Sequence, residues 1–186
     1  MERRIILQYE QILQRVHELG RQITLDYAEK DLILIGVLKG SIYFLADLSR
    51  AIDLPLQLDF ISINAIPYST SHTGIVRIVK DVELDIAGKH VLLVEDIIRT
   101  GLTTAYLLQS IDSRRPASIG ICTLLHNPRQ QLIKLPVSYY GFEISDERLV
   151  GYGLDIHERD RNLPYIAALE QNGQNGKKEK SPNGDS

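Results

Sequence analysis

The feature that most constrains the fold is a continuous apolar run, Leu32–Leu38, that ends at the polar sequence Lys39-Gly-Ser41. The run is short for a buried helix and suits a strand that is buried on both faces. A second run, Val91–Val94, ends in the same way at Glu95 and Asp96. Strands of this type occur in parallel sheets whose two faces are covered by helices. The chain is therefore predicted to be an α/β protein with a mostly parallel, twisted sheet flanked by helices.

The remaining elements follow from the period of the apolar residues. Helical spacing predicts helices over Tyr9–Tyr27, Ile42–Ile52 and Thr103–Ser113. Apolar or alternating segments predict further strands over Leu56–Ile63, Val76–Val79, Ser118–Leu125, Val137–Glu143 and Val150–Tyr152, with Leu163–Leu169 closing the fold. Polar residues predict a loop over 64–74, and Val82–Gly88 is interpreted as a short strand or a turn. The first seven residues have too few apolar side chains for a signal peptide and are assigned to no element.

Composition limits the possible classes of protein. Residues 1–170 suit a single domain, and residues 171–186, which are polar with no apolar side chain, are predicted to be a disordered tail. A net charge of −3 gives no basic face for nucleic acid. No apolar run approaches the roughly 20 residues of a membrane span. The single cysteine, Cys122, lies in an apolar strand and is expected in the core, so a reducing, cytoplasmic location is favoured.

Ligands of parallel α/β sheets bind at the carboxyl ends of the strands, which directs attention to the residues after Val94. Glu95 and Asp96 come first, and the hydroxyl-rich turn Thr100-Gly-Leu-Thr-Thr104 then opens a helix. Free backbone N–H groups at a helix N-terminus, with a glycine that permits close approach, form a phosphate site. A simple helix cap beside two exposed acids would explain the turn alone. Acids and phosphate turn together favour a sugar phosphate.

Three more segments are candidates for the same site. Lys39-Gly40 follows the first strand, Asp155 follows Gly151-Tyr-Gly-Leu154, and Arg161 lies in the polar stretch beyond it. A carboxylate can hold Mg²⁺ beside a pyrophosphate, and the guanidinium fork suits phosphate. Each residue alone has a simpler explanation: a strand-to-helix turn, a helix cap and a surface arginine.

Considered together, these motifs resemble the hypoxanthine-guanine phosphoribosyltransferases of the type I phosphoribosyltransferase superfamily. The resemblance extends from about Ile12 to Leu169. The segments that carry it are Gly36–Ser41, Gly74–Ile78, Val91–Ile98, Thr100–Gly101, Gly141–Ile144, Val150–Asp155 and Arg161–Tyr165.

The resemblance implies a type I phosphoribosyltransferase fold with a small hood. It also implies purine salvage: ribose 5-phosphate passes from phosphoribosyl diphosphate to a purine base, with release of pyrophosphate and with Mg²⁺ on the leaving group. Homo-oligomers, dimers or tetramers, are expected. By position, the residues for phosphoribosyl diphosphate are Lys39, Gly40, Glu95, Asp96, Thr100, Gly101, Leu102, Thr103 and Arg161. The base would meet Asn127, Arg148 and Leu149, and Mg²⁺ would meet Asp155 with Glu95 and Asp96.

The chain departs from the family pattern on the base side of the site. Arg99 stands where the family has the catalytic aspartate, which accepts or shares a proton at the purine ring, and arginine stays protonated at any working pH. Asn127 replaces a lysine that contacts the exocyclic oxygen, and Arg148 replaces the stacking aromatic. Ala65-Ile66 replaces the Ser-Tyr pair of the closing loop.

Two hypotheses follow. In the first, the chain is a purine phosphoribosyltransferase whose base chemistry is altered. In the second, it is a catalytically inactive regulatory protein that binds phosphoribosyl diphosphate or a nucleotide, with Arg99 and Arg148 favouring an anionic ligand.

Overall fold

The computed structural model describes residues 2–66 and 75–170. The predicted tail, residues 171–186, and most of the predicted loop 64–74 lie outside these ranges. No helix in the described ranges is both long enough and apolar enough to cross a membrane.

The described elements run in the order β1 (Glu2–Leu7), α1 (Tyr9–Asp26), β2 (Leu32–Leu38), α2 (Ile42–Ala51), β3 (Leu56–Ile66), β4 (Ile75–Lys80), β5 (His90–Ile98), α3 (Leu102–Asp112), β6 (Ser118–His126), β7 (Tyr139–Glu143), β8 (Leu149–Val150) and β9 (Ile166–Glu170). The predicted strand Leu32–Leu38 has the bounds that its apolar run indicated. The three predicted helices are present, with ends that differ by a residue.

The six-stranded main sheet has the order β4-β3-β2-β5-β6-β7. Every pairing in it is parallel except that of β3 with β4. Helices α1 and α2 cover one face, where Ile12 and Phe44 share a core with Leu34, and α3 covers the other, where Leu107 shares a core with Ile35. Successive residues of β2 thus enter opposite cores, which explains why the strand has no polar side chain. The predicted α/β class is confirmed.

A second, three-stranded sheet of order β1-β9-β8 forms the predicted hood. Its first strand, β1, was not predicted. It pairs antiparallel with β9, so the first residues of the chain lie beside the last described ones. Most side chains of β1 are exposed, and the apolar alternation that would have indicated a strand is therefore missing.

Two local predictions were wrong in their details, and a third left open two alternatives. Strand β5 continues through Ile98, so Glu95 and Asp96 lie within its last half and not beyond its end. Strand β8 ends at Val150 and belongs to the hood, so Asp155 does not follow a strand of the main sheet. Residues 82–88, predicted as a short strand or a turn, contain a turn at Ala87–Gly88 and no strand; the carboxylate of Asp59 accepts the N–H groups of Glu83 and Leu84.

Candidate active site

Glu95 is the buried acid of the site. Only 5% of the residue is exposed, and its Oε1 has no hydrogen-bond partner among the described residues. Burial raises the pKa of Glu95 to about 8; the hydroxyl of Thr104 opposes the shift and the charge of Asp96 adds to it. Near neutral pH this carboxyl group is therefore largely protonated and can donate a hydrogen bond as well as accept one.

Asp96 points to the opposite side of β5 from Glu95, because side chains alternate along a strand. Burial raises the pKa of Asp96 to about 6. The backbone N–H of Ile97, which donates to Oδ1 of Asp96 at 2.9 Å, lowers the pKa but does not outweigh burial. It therefore remains mostly ionised at pH 7. The two neighbouring acids thus differ in protonation: Glu95 is almost fully buried, whereas Asp96 lines a pocket.

Two glycines allow the loops to approach Asp96. A β-carbon on Gly40 would lie 1.7 Å from Oδ2 of Asp96, and one on Gly153 would lie 1.9 Å from the carbonyl oxygen of Gly40. The peptide bond between Leu38 and Lys39, which precedes Gly40, is cis. The loop after β2 therefore lies between β5 and the segment Gly151–Asp155, with no space for a side chain at either contact.

The predicted phosphate turn opens helix α3. Gly101 caps the helix in the left-handed conformation, with φ of +78°, and the first helical hydrogen bond is from the N–H of Ala105. The earlier N–H groups of Leu102 and Thr103 have no partner within the helix, as is general for a first turn. Their side chains are exposed and half-buried, respectively. The turn thus offers backbone donors of the kind that binds an anion.

The segment 132–135, which was not predicted to contribute to the site, contacts this turn. The carbonyl oxygen of Thr100 accepts the N–H of Leu132 at 3.0 Å. A β-carbon on Gly101 would lie 3.0 Å from the side chain of Leu135. Nothing in the sequence of this irregular segment indicates the contact, which depends on how the chain returns after β6.

Lys39 and Arg161 meet at a shared acid, Glu158. The ammonium of Lys39 lies 3.0 Å from Oε2 of Glu158, and Nη2 of Arg161 lies 3.2 Å from the same atom. The hydrogen bond from Lys39, which has the largest effect, and that from Arg161 hold the pKa of Glu158 below its ordinary value. Glu158 was not among the predicted residues. Glu158 brings the two cations together at one anionic group. A bound pyrophosphate would also require two cations that converge on it.

Asp155 completes this network. Its Oδ1 lies 2.9 Å from Nη2 of Arg161, and its Oδ2 accepts the N–H of Glu158 at 2.7 Å. The other terminal nitrogen of Arg161 donates to the carbonyl oxygen of Gly153 at 2.7 Å, and its buried Nε has no partner among the described residues. Arg161 therefore ties Asp155 and Gly153, which flank Leu154, into one rigid turn.

A pocket of about 400 Å³ brings the two halves of the predicted site together. The predicted residues in its wall are Asp96, Arg99, Arg148, Leu149 and Asp155. Asp146 and Glu147, which were not predicted, line it as well.

The base side of the pocket is organised around the segment 146–149. The guanidinium of Arg99 donates to the carbonyl oxygen of Glu147 at 2.7 Å. Asn127 is fully buried and does not line the pocket. Its amide nitrogen donates to Oδ1 of Asp146 at 2.7 Å, while its Oδ1 accepts the N–H of Arg129 at 3.2 Å. In this arrangement Asn127 orients Asp146 toward the pocket instead of entering it. The side chains of the predicted loop residues Ala65 and Ile66 lie outside the description.

The acids of the pocket are compatible with Mg²⁺. The described residues hold no group of three potential metal ligands, so no complete protein cage is present among them. Mg²⁺, however, usually takes one or two carboxylates and completes its shell with water and substrate phosphates. Asp96 and Asp155 provide hard oxygen donors in one pocket, and Asp155 is paired with the guanidinium of Arg161.

Known proteins of one family are similar to this chain over most of its length. The phosphoribosyl transferase domain family matches residues 3–157. The hypoxanthine-guanine phosphoribosyltransferase of Mycobacterium tuberculosis is 45% identical over 172 residues, which are 89% of this chain and 85% of that protein. The hypoxanthine phosphoribosyltransferase of Haemophilus influenzae is 46% identical over 158 residues, 83% of this chain and 88% of that protein.

Solved structures show the same fold. The crystal structure of a hypoxanthine phosphoribosyltransferase from Staphylococcus aureus superposes with a TM-score of 0.86 at 41% identity, covering 90% of this chain and 91% of that one. A hypoxanthine-guanine phosphoribosyltransferase from Bacillus anthracis gives the same TM-score of 0.86 at 41% identity, covering 90% and 98%. The sequence similarity and the fold similarity both extend over nearly the whole described chain, which therefore belongs to the hypoxanthine-guanine phosphoribosyltransferase family.

Proposed function

We propose that the chain is a purine phosphoribosyltransferase of nucleotide salvage, which transfers ribose 5-phosphate from phosphoribosyl diphosphate to hypoxanthine or guanine and releases pyrophosphate. The observation that carries the proposal is that Asp96, Arg99, Arg148, Leu149 and Asp155 line one pocket. They come from two segments that are distant in sequence, 96–99 and 148–155, and the family resemblance assigns them to the ribose, the base and the metal. A cytoplasmic homo-oligomer, dimeric or tetrameric, is part of the proposal.

On the ribose side, Glu95 and Asp96 are the partners of the sugar hydroxyls. With a pKa of about 8, Glu95 can donate a hydrogen bond, whereas Asp96, with a pKa of about 6, accepts one. The backbone donors of the turn Thr100–Thr104 hold the 5-phosphate. Lys39, Gly40 and Arg161 face the pyrophosphate, and the shared partner Glu158 brings the two cations together.

Asp155 is the proposed Mg²⁺ ligand, with Asp96, which lines the same pocket, as a further carboxylate. Glu95 would join them only after losing the proton that its raised pKa retains. The ion, when bound, neutralises negative charge on the diphosphate. The chain's own contribution is alignment and electrostatic stabilisation of an oxocarbenium-like ribose. Lys39 and Arg161 add positive charge where the leaving group departs.

On the base side of the site, this chain differs from the family pattern. Arg99 cannot accept a proton from the incoming purine, and it donates to the carbonyl oxygen of Glu147. Loss of one general base typically lowers a rate by about 10²–10⁴-fold, so transfer would be slow and not absent. Arg148, in the same wall, can lie flat on an aromatic ring through its guanidinium.

A coupled assay of pyrophosphate release across a panel of purines and pyrimidines tests the proposal. Slow transfer to a purine is expected. Transfer to hypoxanthine at a rate ordinary for the family would show that Arg99 is no impairment, and transfer only to a pyrimidine would overturn the purine assignment.

The second candidate function is an inactive sensor, and the observation that favours it is the placement of Arg99 in the pocket wall. If no base is transferred, calorimetric titration with phosphoribosyl diphosphate, nucleoside monophosphates and guanosine tetraphosphate decides this case. Binding tighter than millimolar without transfer supports the sensor, and no binding of any of them excludes it.

A further inference from the structure

We propose that the first strand of the chain is a positioning element of the active site, in which Arg4 fixes the base wall of the pocket and Arg3 fixes the pyrophosphate turn. The kinetic part of this inference rests on the proposed function, whereas the structural part does not.

The two arginines reach different loops because they are neighbours in a strand. In β1, Arg3 pairs with Leu169 and Arg4 pairs with Ala168 of β9. Consecutive side chains of a strand point to opposite faces. The guanidinium of Arg3 accordingly lies 2.7 Å from Oδ1 of Asp160, whereas that of Arg4 forms an ion pair with Glu147.

Arg4 acts on the base wall through Glu147. This residue is held at both ends: its carboxylate takes the ion pair from Arg4 and its carbonyl oxygen accepts the hydrogen bond from Arg99 at 2.7 Å. Glu147 and Arg99 both line the pocket, and Arg4 does not. Arg4 is thus a positioning residue. It fixes the position of Glu147, and the carbonyl oxygen of Glu147 in turn fixes the guanidinium of Arg99 relative to the base.

Arg3 acts on the opposite wall through Asp160. Asp160 directly precedes Arg161, whose guanidinium is bound to Asp155 and Glu158. The backbone at Asp160 is left-handed, with φ of +71°, a conformation that is uncommon for residues other than glycine. The ion pair with Arg3 ties the pyrophosphate turn to the hood sheet.

These pairs lie at the surface, since Arg4 is 54% and Arg3 is 43% exposed. Exposed pairs contribute little to the free energy of unfolding. Their removal is therefore expected to loosen one wall without unfolding the protein, and the effect can be measured locally.

Amide hydrogen exchange of the full, ligand-free chain provides the structural test. Arg4→Ala should speed exchange in residues 145–149 and leave 156–161 unchanged, and Arg3→Ala should do the opposite. Glu170→Ala is the matched control for Arg4, because it removes only the second partner of that arginine, 3.2 Å from its Nε. Lys89→Ala, which breaks the remote surface pair with Asp31, is the control for loss of one positive charge. Unchanged exchange in both arginine variants would overturn the inference.

The kinetic test separates the two substrates. Arg4→Ala should raise KM for the base about fivefold with KM for phosphoribosyl diphosphate unchanged, and Arg3→Ala should show the reverse split. Arg4→Lys, which retains a cation opposite Glu147, should recover much of the loss. Equal movement of both KM values in either variant would contradict the assignment. If the wild-type chain transfers no base, the proposed function fails, and the exchange experiment still decides the positioning role.

Discussion

Gly40 and Asp96 approach so closely that a β-carbon on Gly40 would lie 1.7 Å from Oδ2 of the aspartate. The contact joins the loop after β2 to strand β5, the two neighbouring strands at the centre of the main sheet. The only residue that fits there is one without a side chain. The same contact places the cation of Lys39 and the carboxylate of Asp96 at one end of the sheet, where the proposed substrate carries both phosphates and hydroxyls.

Gly40→Ala is therefore expected to displace either this loop or Asp96. The affinity for phosphoribosyl diphosphate should fall by about tenfold or more, because displacements near 1 Å in such a site cost up to about 10²-fold. Calorimetric titration measures the change. Gly88→Ala is the control: its φ is +69°, but nothing lies within 4 Å of the added carbon, so it should lower stability and not affinity. Equal affinity for Gly40→Ala and wild type would refute the argument.

Strands buried on both faces were predicted well, and strands that depend on a distant partner were not. Leu32–Leu38 is apolar throughout because α2 and the residues under α3 cover its two faces, so its composition alone identified it. Strand β1 contains Glu2, Arg3 and Arg4 and is mostly exposed. It is a strand because β9 supplies its hydrogen bonds, and no local pattern carries that information.

The site shows the same division. The carboxylates and the phosphate turn were predicted because their residue types fit the chemistry at a strand end. Asp146 and Glu158 were not found, because each acquires its role from a tertiary contact, with Asn127 in one case and with Lys39 and Arg161 in the other. Asn127 was expected to meet the base directly. The structure instead buries it, a position that its residue type could not reveal.

Asp59 should make the stability of the protein depend on pH in acid. Burial alone would raise the pKa of this carboxylate, but the N–H groups of Leu84, Phe60 and Glu83 and the ammonium of Lys80 outweigh it and hold the pKa below its ordinary value. A lowered pKa in the folded state contributes stability above the unfolded value near 3.8, which is lost as pH falls through the folded value.

Asp59→Asn is therefore expected to cost about 2 kcal/mol at pH 7, because the buried donors lose part of their acceptor. The difference between variant and wild type should shrink below pH 4. Denaturant titrations at pH 7, 5 and 3 measure it. A difference that stays constant over this range would mean that the carboxylate charge contributes nothing.

Deletion of residues 171–186 should leave the protein unaffected. The segment has no apolar side chain with which to dock, so neither the melting temperature nor the affinity for phosphoribosyl diphosphate is expected to change. Thermal melts and calorimetric titrations of the shortened and full chains provide the comparison. A fall of several degrees would show that the segment packs against the domain or a subunit interface.

Arg99→Asp should raise purine transfer, mainly in kcat. The flanking residues Ile98 and Thr100 keep the family pattern, so the backbone should present the new carboxylate toward the base. The change removes a cation and adds an acceptor that can share the purine proton, an effect of about 10²–10⁴-fold where a general base is rate-determining. The half-buried Arg99 also loses its bond to Glu147, so Arg99→Gln, which cannot act as a base, is the control. Equal activation by both variants would assign the gain to that lost contact and not to proton transfer.

The triple variant Arg99→Asp, Asn127→Lys, Arg148→Phe should additionally lower KM for the purine. In the present pocket Asn127 is committed to Asp146, and a lysine at this position keeps a donor for that carboxylate while extending further toward the base. Phenylalanine at 148 replaces a guanidinium by an aromatic stacking surface in the pocket wall. Initial rates at varied hypoxanthine and guanine, with phosphoribosyl diphosphate saturating, separate the KM effect from the kcat effect of position 99. A triple variant that folds and binds phosphoribosyl diphosphate but transfers no purine would show that the family roles do not fall on these three positions.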